Sequence, residues 1–459
     1  MTDPEKLIRS AITGMRWPAM PTARGGQLLS LLYQFEETER LPPERLLEHQ
    51  LWQLQILLRH ALRTVPFYRE RLATAGFDPK RALTYDAFRA LPLLTRRDVQ
   101  LAGVAMHSTA VPPAYGPVGE TRTSGSTGEP VTVRRTHVDQ LLWEANTLRD
   151  HHWHQRDFAG TLAVIRSTGQ EAKPPHGAIL KSWGVPVADL YTTGPLVKLD
   201  SGADVDTQAH WLLKHNPDYL LTYPSIVRSL LRWFATHGQR PERLREVRTV
   251  GETVDLSLRE ACRDVLGLSI VDGYSSQELG YIGLQCPVSG ALHVMSESVL
   301  VEILDDNGRP CVPGAVGQVV ATGLHNVAMP MLRYALGDYA EVGAPCACGR
   351  GLPTISRVLG RVRNLMTLPS GQRVRLALVD QFGAFPMVRQ YQVIQRSIHD
   401  MEARLAIDVP LSAEQESQLR AALQSAMGHP FHISFIYFSS GLPRKAGGKF
   451  EEFVSRLDG

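Results

Sequence analysis

Apolar positions recur at spacings of three and four from Pro43 to Val65, through Leu46, Leu47, Leu51, Leu54, Leu58 and Leu62, which predicts one amphipathic packing helix. Pro66 lacks an N–H and is expected to end that run. Beyond residue 160 the texture changes. Short apolar runs at Thr161–Ile165, Tyr219–Thr222, Val247–Val250 and Ser269–Val271 predict buried strands, with helices expected at Ser225–His237 and Leu256–Leu266 between them. Strands alternating with helices imply crossover units and a largely parallel sheet with helices on both faces. After residue 290, Val299–Leu304 and Gly317–Thr322 flank Asp305-Asp306-Asn307-Gly308 and predict antiparallel pairing around a turn. A third texture begins near residue 365. Val393–Ile394, Leu405–Val409 and His432–Phe438 are strand-like, and Ser412 with Gln415 has capping-box spacing for a helix. The expectation is an α/β chain: a large N-terminal domain over 1–362, mixed sheets with helices on both faces plus an antiparallel β subdomain, then a small α+β module over 365–459.

Composition narrows the class without naming it. At 459 residues the chain has room for about three units, or one large domain and a small one, at ~150 residues each. Lys and Arg total 49 against 46 Asp and Glu, a net charge of +3 that gives no reason to expect a nucleic-acid or membrane surface. No segment approaches the ~20 apolar residues of a membrane span, and the N-terminal stretch lacks a signal-peptide core. Five cysteines are too few for a disulfide scaffold and fit a reducing compartment, so a cytoplasmic location is expected.

The sharpest local feature is Thr123-Ser124-Gly125-Ser126-Thr127-Gly128, four hydroxyl residues and two glycines in six positions. Such a run supplies donors and lets backbone approach an anion closely. It is not a Walker loop, since no Gly-Lys-Ser/Thr follows, and a solvated turn has the same composition. Five further motifs follow in order. Val250-Gly251-Glu252 ends one expected strand. Gly273-Tyr274-Ser275-Ser276-Gln277-Glu278 follows another, offering a ring and a carboxylate at the sheet's carboxyl edge, the usual ligand crevice. Arg333 to Asp338 supplies an acid able to accept bonds from two ribose hydroxyls, and Gly360-Arg361 meets the change of texture between modules. Last, Lys449 closes the Gly-rich segment Leu442-Pro443-Arg444-Lys445-Ala446-Gly447-Gly448.

Together these motifs resemble the acyl-adenylate-forming superfamily of acyl-CoA synthetases, luciferases and peptide-synthetase adenylation domains. Over roughly residues 45–455 the chain is most similar to the phenylacetate-CoA ligase-like branch, which Val65-Pro66-Phe67-Tyr68-Arg69-Glu70 also resembles. The resemblance implies that Thr123, Ser124, Gly125, Ser126, Thr127 and Gly128 hold the ATP β- and γ-phosphates. It implies that Gly251 and Glu252 border adenine with Tyr274 stacked near it, and that Glu278 ligates Mg²⁺. Asp338 would hold the ribose, Arg361 would reach ribose or phosphate, Lys449 would be the adenylation lysine, and a hinge would fall at 361–364, on Arg363. There are three departures from the family pattern: Arg363-Asn364 stands where an acidic pair often follows, Gln277 replaces Thr or Ser, and Ser275 replaces Gly.

Cys286, His293, Cys346 and Cys348 make a complete four-ligand set of the structural zinc type, though the C-x-C spacing is tight and four unconnected reduced side chains read the same way. Similarity to members of the branch in this region implies Zn²⁺. His151, His152 and His154 are expected to pack, because three such close side chains cannot face one cavity. The implied activity is ATP-dependent activation of an aryl or aryl-acetic acid and transfer to coenzyme A. Amide formation with an amine, loading of a carrier-protein thiol, and non-catalytic nucleotide binding remain open at this point. The expected partners are small molecules, and a homodimer is the prior for an enzyme of this size.

Overall fold

In the computed structural model the described residues are 8–122, 131–169, 171–361, 365–376, 378, 381–382, 384–385, 387–443 and 450–457. The parallel strands lie side by side in the order Leu196–Asp200, Leu162–Arg166, Tyr219–Thr222, Glu246–Val250 and Ile270–Ser276. Under them pack the helices Val205–His215, Pro224–His237 and Leu256–Leu266. Ile226, Val227, Leu230 and Phe234 meet Val247, Ile270 and Cys262 in one buried cluster. That spacing is the apolar stripe of an amphipathic helix set against sheet positions buried on both faces.

At Gly280 the chain reverses. Gly280–Gln285 pairs antiparallel with Ile270–Ser276, and Leu292–Val294, Thr354–Arg361, Tyr334–Val342, Val316–Gly323 and Val299–Leu304 continue the sheet. Among the described residues twelve strands thus form one hydrogen-bonded surface, its far edge closed by Ala178–Leu180. The α/β class is as expected. The antiparallel strands, however, extend the main sheet rather than standing apart. The joining pair, Leu292–Val294 with Thr354–Arg361, is a contact between segments sixty residues apart that no local pattern announces.

Pro66 does more than end a helix. Pro43–Thr64 stops before it, Val65 is the shared boundary, and Pro66 is the first residue of a second helix, Pro66–Thr74. A proline at the first helical position lacks only an N–H that would have no intrahelical partner. The hairpin Val118–Arg122 with Thr132–Thr136 brackets the hydroxyl- and glycine-rich segment, and Thr136 and Asp139 form a capping box for the helix His137–Trp153. Segment 123–130 itself lies outside the described residues.

The C-terminal sheet is separate, ordered His432–Phe438, Asp400–Ala406, Gln390–Gln395, Phe453–Ser455. The helix Ala413–Met427 covers it with Leu419, Leu423 and Met427, and Ser412 and Gln415 cap that helix reciprocally. The strand expected over Leu405–Val409 ends at Ala406, where its partner His432–Phe438 runs out. Among the described residues no helix is long and apolar enough to cross a membrane.

Candidate functional site

The candidate residues gather where the sheet changes from parallel to antiparallel. Tyr274 sits near the end of Ile270–Ser276, and its hydroxyl donates to Asp338 Oδ2 at 2.7 Å. Burial, then the Asp338 charge, raises the Tyr274 pKa well above the phenol range, so the hydroxyl keeps its proton and remains a donor. Arg361 is the direct cross-strand partner of Asp338 and brings Nε within 3.7 Å of Oδ1. Tyr274, Asp338 and Arg361, expected from three separate motifs, therefore form one cluster. An arginine and a phenol on one carboxylate fix its position and leave it lone pairs for a diol.

Glu278 follows the same strand. Arg96 Nη1 lies 3.6 Å from its Oε1, a neighbour with no sequence motif of its own. Arg135 donates to the carbonyls of Ser276 and Gln277 and lies over the Trp143 ring, 5.6 Å from its centroid. A narrow cleft with about 30 Å³ of enclosed space lies here, lined by Arg135, Glu278, Trp143 and Tyr281 and reaching Asn146 and Ser298. The Trp143 and Tyr281 rings stand 4.7 Å apart at its wall. Periodicity could have flagged this wall: Asp139, Leu142, Trp143 and Asn146 share one helical face, and two of the four are polar.

Gly251 ends the strand Glu246–Val250 at a φ of +80°, a conformation that a side chain would strain. The turn delivers Glu252 to the start of the helix Pro224–His237, whose own preceding residue, Tyr223, makes no side-chain cap. Glu252 replaces that cap, accepting the Ser225 N–H at 2.9 Å and the Ser225 hydroxyl at 3.1 Å. It also accepts the Phe450 N–H at 2.7 Å. Alongside, Arg228 holds Asp255 at 2.6 Å and reaches Glu452 at 3.1 Å, and Glu452 takes the Tyr391 hydroxyl. The C-terminal sheet is thus docked on the main sheet by the residue that follows Lys449 in the chain. Lys449, the loop Thr123–Gly128, and Arg363 and Asn364 of the expected hinge lie outside the described residues.

The four soft ligands also converge. Cys286, His293, Cys346 and Cys348 place their donor atoms within 4.8 Å of one another. His293 Nδ1 faces the Leu352 carbonyl at 3.2 Å, which directs Nε2 to Cys348 Sγ at 3.3 Å. By contrast the histidines at 151, 152 and 154 diverge: His151 meets Arg156, His152 the Tyr191 hydroxyl, and His154 the Gln285 carbonyl.

Residues 121–330 match the family model of AMP-binding enzymes. The chain is 26% identical over 402 residues to the phenylacetate-coenzyme A ligase of Thermus thermophilus, covering 84% of this chain and 86% of that one. It is 23% identical to the enzyme of the same name from Pseudomonas putida, over 77% and 76% of the two chains. A crystal structure of 2-hydroxyisobutyryl-CoA ligase in the postadenylation state shares the fold, with a TM-score of 0.71, 17% identity and 92% of each chain covered.

Proposed function

We propose that the chain is a member of the acyl-adenylate-forming superfamily, in its phenylacetate-CoA ligase-like branch, and that it joins a carboxylic acid of aryl or aryl-acetic type to coenzyme A at the expense of ATP. The observation that carries this reading is the Tyr274–Asp338–Arg361 cluster beside Glu278, with the C-terminal sheet docked at Glu252. Trp143 and Tyr281 give the adjoining cleft an aromatic wall suited to an aryl acid.

A carboxylate is a poor nucleophile and hydroxide a poor leaving group, so direct condensation with a thiol is slow. In the first step a carboxylate oxygen attacks the α-phosphorus of ATP. The new P–O bond makes the acyl-adenylate, and the bond to pyrophosphate breaks. Negative charge grows on the phosphates as it does so, and donors fixed there in advance lower the barrier. In this assignment Thr123–Gly128 supply such donors, Lys449 meets the α-phosphate, and Asp338 holds the ribose through its two hydroxyls. Glu278, an oxygen donor at the cleft border, would hold Mg²⁺, which when bound neutralises phosphate charge. In the second step the thiolate of coenzyme A attacks the acyl carbon and AMP leaves.

The two steps need different surroundings, and a module that pivots supplies them. We assign 1–362 to the large domain, 365–459 to the lid and 361–364 to the hinge. The contact of Phe450 with Glu252 belongs to the arrangement that performs the first step. Glu252→Gln removes the charge from that acceptor and is expected to slow ATP–pyrophosphate exchange about tenfold, the scale of one charge-assisted hydrogen bond. Transfer from pre-made acyl-adenylate should change less, and an equal loss in both steps would remove the assignment.

The ligase reading is tested by pyrophosphate release with ATP, Mg²⁺ and a panel of carboxylic acids. Release with an aryl acid and a product of acyl-CoA mass supports it. A product of amide mass redirects the second step to an amine acceptor, and silence with every acid defeats the reading. The free thiols of Cys262 and Cys311 suit a reducing compartment, and we place the enzyme in the cytoplasm.

The cysteine–histidine set fits Zn²⁺. Zinc–sulfur bonds of ~2.3 Å at tetrahedral angles set two sulfurs ~3.8 Å apart. Cys286 and Cys346 Sγ stand 3.8 Å apart, and His293 is already oriented by a carbonyl, the usual outer partner of a ligating imidazole. All four ligands are protein groups, so the ion would be structural. Metal analysis of untagged protein is expected to find about one zinc per chain, lost in Cys348→Ser together with several degrees of melting temperature. Zinc-free protein of full stability would exclude the site.

A further inference from the structure

The helix Pro224–His237 meets the C-terminal sheet at two points, one turn apart. Ser225 and Arg228 are three residues apart and share one helical face. Through Glu252, Ser225 is tied to the Phe450 N–H, while Arg228 Nε lies 3.1 Å from Glu452 Oε1. Two residues of chain reach at most about 7 Å, so Phe450 and Glu452 both fit against a single turn of that helix.

Both ends of the Arg228–Glu452 pair are held from behind. On the helix side, Arg228 Nη2 donates to Asp255 Oδ2 at 2.6 Å and Nη1 to the Ser257 hydroxyl at 3.4 Å, and Asp255 is itself fixed as the N-cap of Leu256–Leu266. On the sheet side, the Glu452 carbonyl accepts the Val393 N–H at 2.7 Å, and Glu452 Oε2 takes the Tyr391 hydroxyl at 3.1 Å. The neighbouring Glu451 carbonyl takes the Gln392 amide at 2.9 Å. Glu452 therefore moves with the C-terminal sheet and Arg228 with the main one. When the two separate, Arg228 keeps Asp255 and Glu452 keeps Tyr391. The side chains are 12% and 32% exposed and neither charge is stranded, so the pair opens at the modest cost of a partly exposed ion pair.

We propose that Arg228 is a positioning residue for the adenylation step: by holding Glu452 it fixes the chain that leads back to Lys449, and by releasing Glu452 it frees the C-terminal sheet for transfer. This rests on the ligase reading above, with Lys449 as the adenylation lysine. Lys449 precedes Glu452 by three residues, at most about 11 Å of chain, so an anchor at Glu452 limits where that ammonium is delivered. In this role Arg228 touches neither ATP nor the acid and acts through Glu452 alone.

The test measures two half-reactions on the full-length protein: acid-dependent ATP–pyrophosphate exchange, and transfer from chemically prepared acyl-adenylate to coenzyme A. Arg228→Gln and Glu452→Gln each remove one charge. Each is expected to slow exchange about fivefold, the scale of one partly exposed ion pair, and to leave transfer as fast as before or faster. The double variant should be no slower in exchange than either single one, because each residue acts through the other. Unchanged exchange in folded Glu452→Gln overturns the proposal. So do losses that multiply in the double variant, or that fall equally on both half-reactions. If Arg228→Gln fails to fold, Glu452→Gln decides alone through the split between the half-reactions, since it leaves Arg228 paired with Asp255. Absence of acid-dependent exchange in the unaltered protein defeats the ligase reading itself, a failure distinct from exchange that ignores both substitutions.

Discussion

Lys449→Ala is expected to lower acid-dependent ATP–pyrophosphate exchange ~10²–10³-fold while sparing transfer from chemically prepared acyl-adenylate to coenzyme A. The asymmetry follows from where charge develops. In the first step the α-phosphate gains negative charge as pyrophosphate departs, and a fixed ammonium there acts on the transition state more than on bound ATP. In the second step AMP is already formed as a leaving group, and access for the thiol matters more. The assignment rests on the Gly-rich segment that Lys449 closes and on the docking of Phe450, the next residue, against Glu252. Both half-reactions are measured on one preparation, so general damage is separated from a lost catalytic group. Equal loss in both would show that Lys449 serves the fold or the acceptor rather than adenylation.

Glu302→Ala is expected to cost ~3–5 kcal/mol of stability, because it strands a buried guanidinium. Arg333 is 5% exposed and Glu302 4%, and two parallel bonds of 2.9 Å join them. Arg333 also donates to the carbonyls of Arg89 and Leu91 and holds a φ of +48°, rare for a side-chain-bearing residue. The ion pair therefore fixes an unfavourable backbone conformation at the entrance of the strand Tyr334–Val342, which carries Asp338. A fall in the urea midpoint at unchanged slope measures the loss. A raised KM for ATP in whatever remains folded would show that the distortion travels along the strand to Asp338, the residue proposed to hold the ribose. Glu302→Gln keeps hydrogen-bonding oxygen in place and should cost less; an unchanged midpoint in Glu302→Ala would refute the argument.

Much of the framework was legible because each element obeys its own period. The helix Leu256–Leu266 and the strands Tyr219–Thr222, Val299–Leu304 and His432–Phe438 stand where apolar spacing put them. What escaped was long-range. Nothing local tells that Leu292–Val294 will pair with Thr354–Arg361 and merge two sheets into one. In the site, Tyr274, Glu278, Asp338 and Arg361 stood out because a ligand-facing carboxylate, ring or cation sits beside glycine in a short motif. Arg96, Arg135 and Asn146 are ordinary residues of helix and strand, and only folding sets them against Glu278 or the cleft. Arg333 lay inside a motif, yet its partner Glu302 is on the far strand of a neighbouring hairpin. The pairing of Tyr274 with Asp338 was hidden for the same reason: each was visible, and their meeting was not.

The grip of Glu252 on the C-terminal segment passes through the main chain of Phe450, which has a consequence for how it could ever be noticed. Any side chain at position 450 leaves the amide proton where it is, so substitution at that position would report the apolar packing of the ring beside Leu442 and stay blind to the hydrogen bond. Proline alone deletes the proton, and Phe450→Pro is therefore the replacement through which mutational scanning can see this contact.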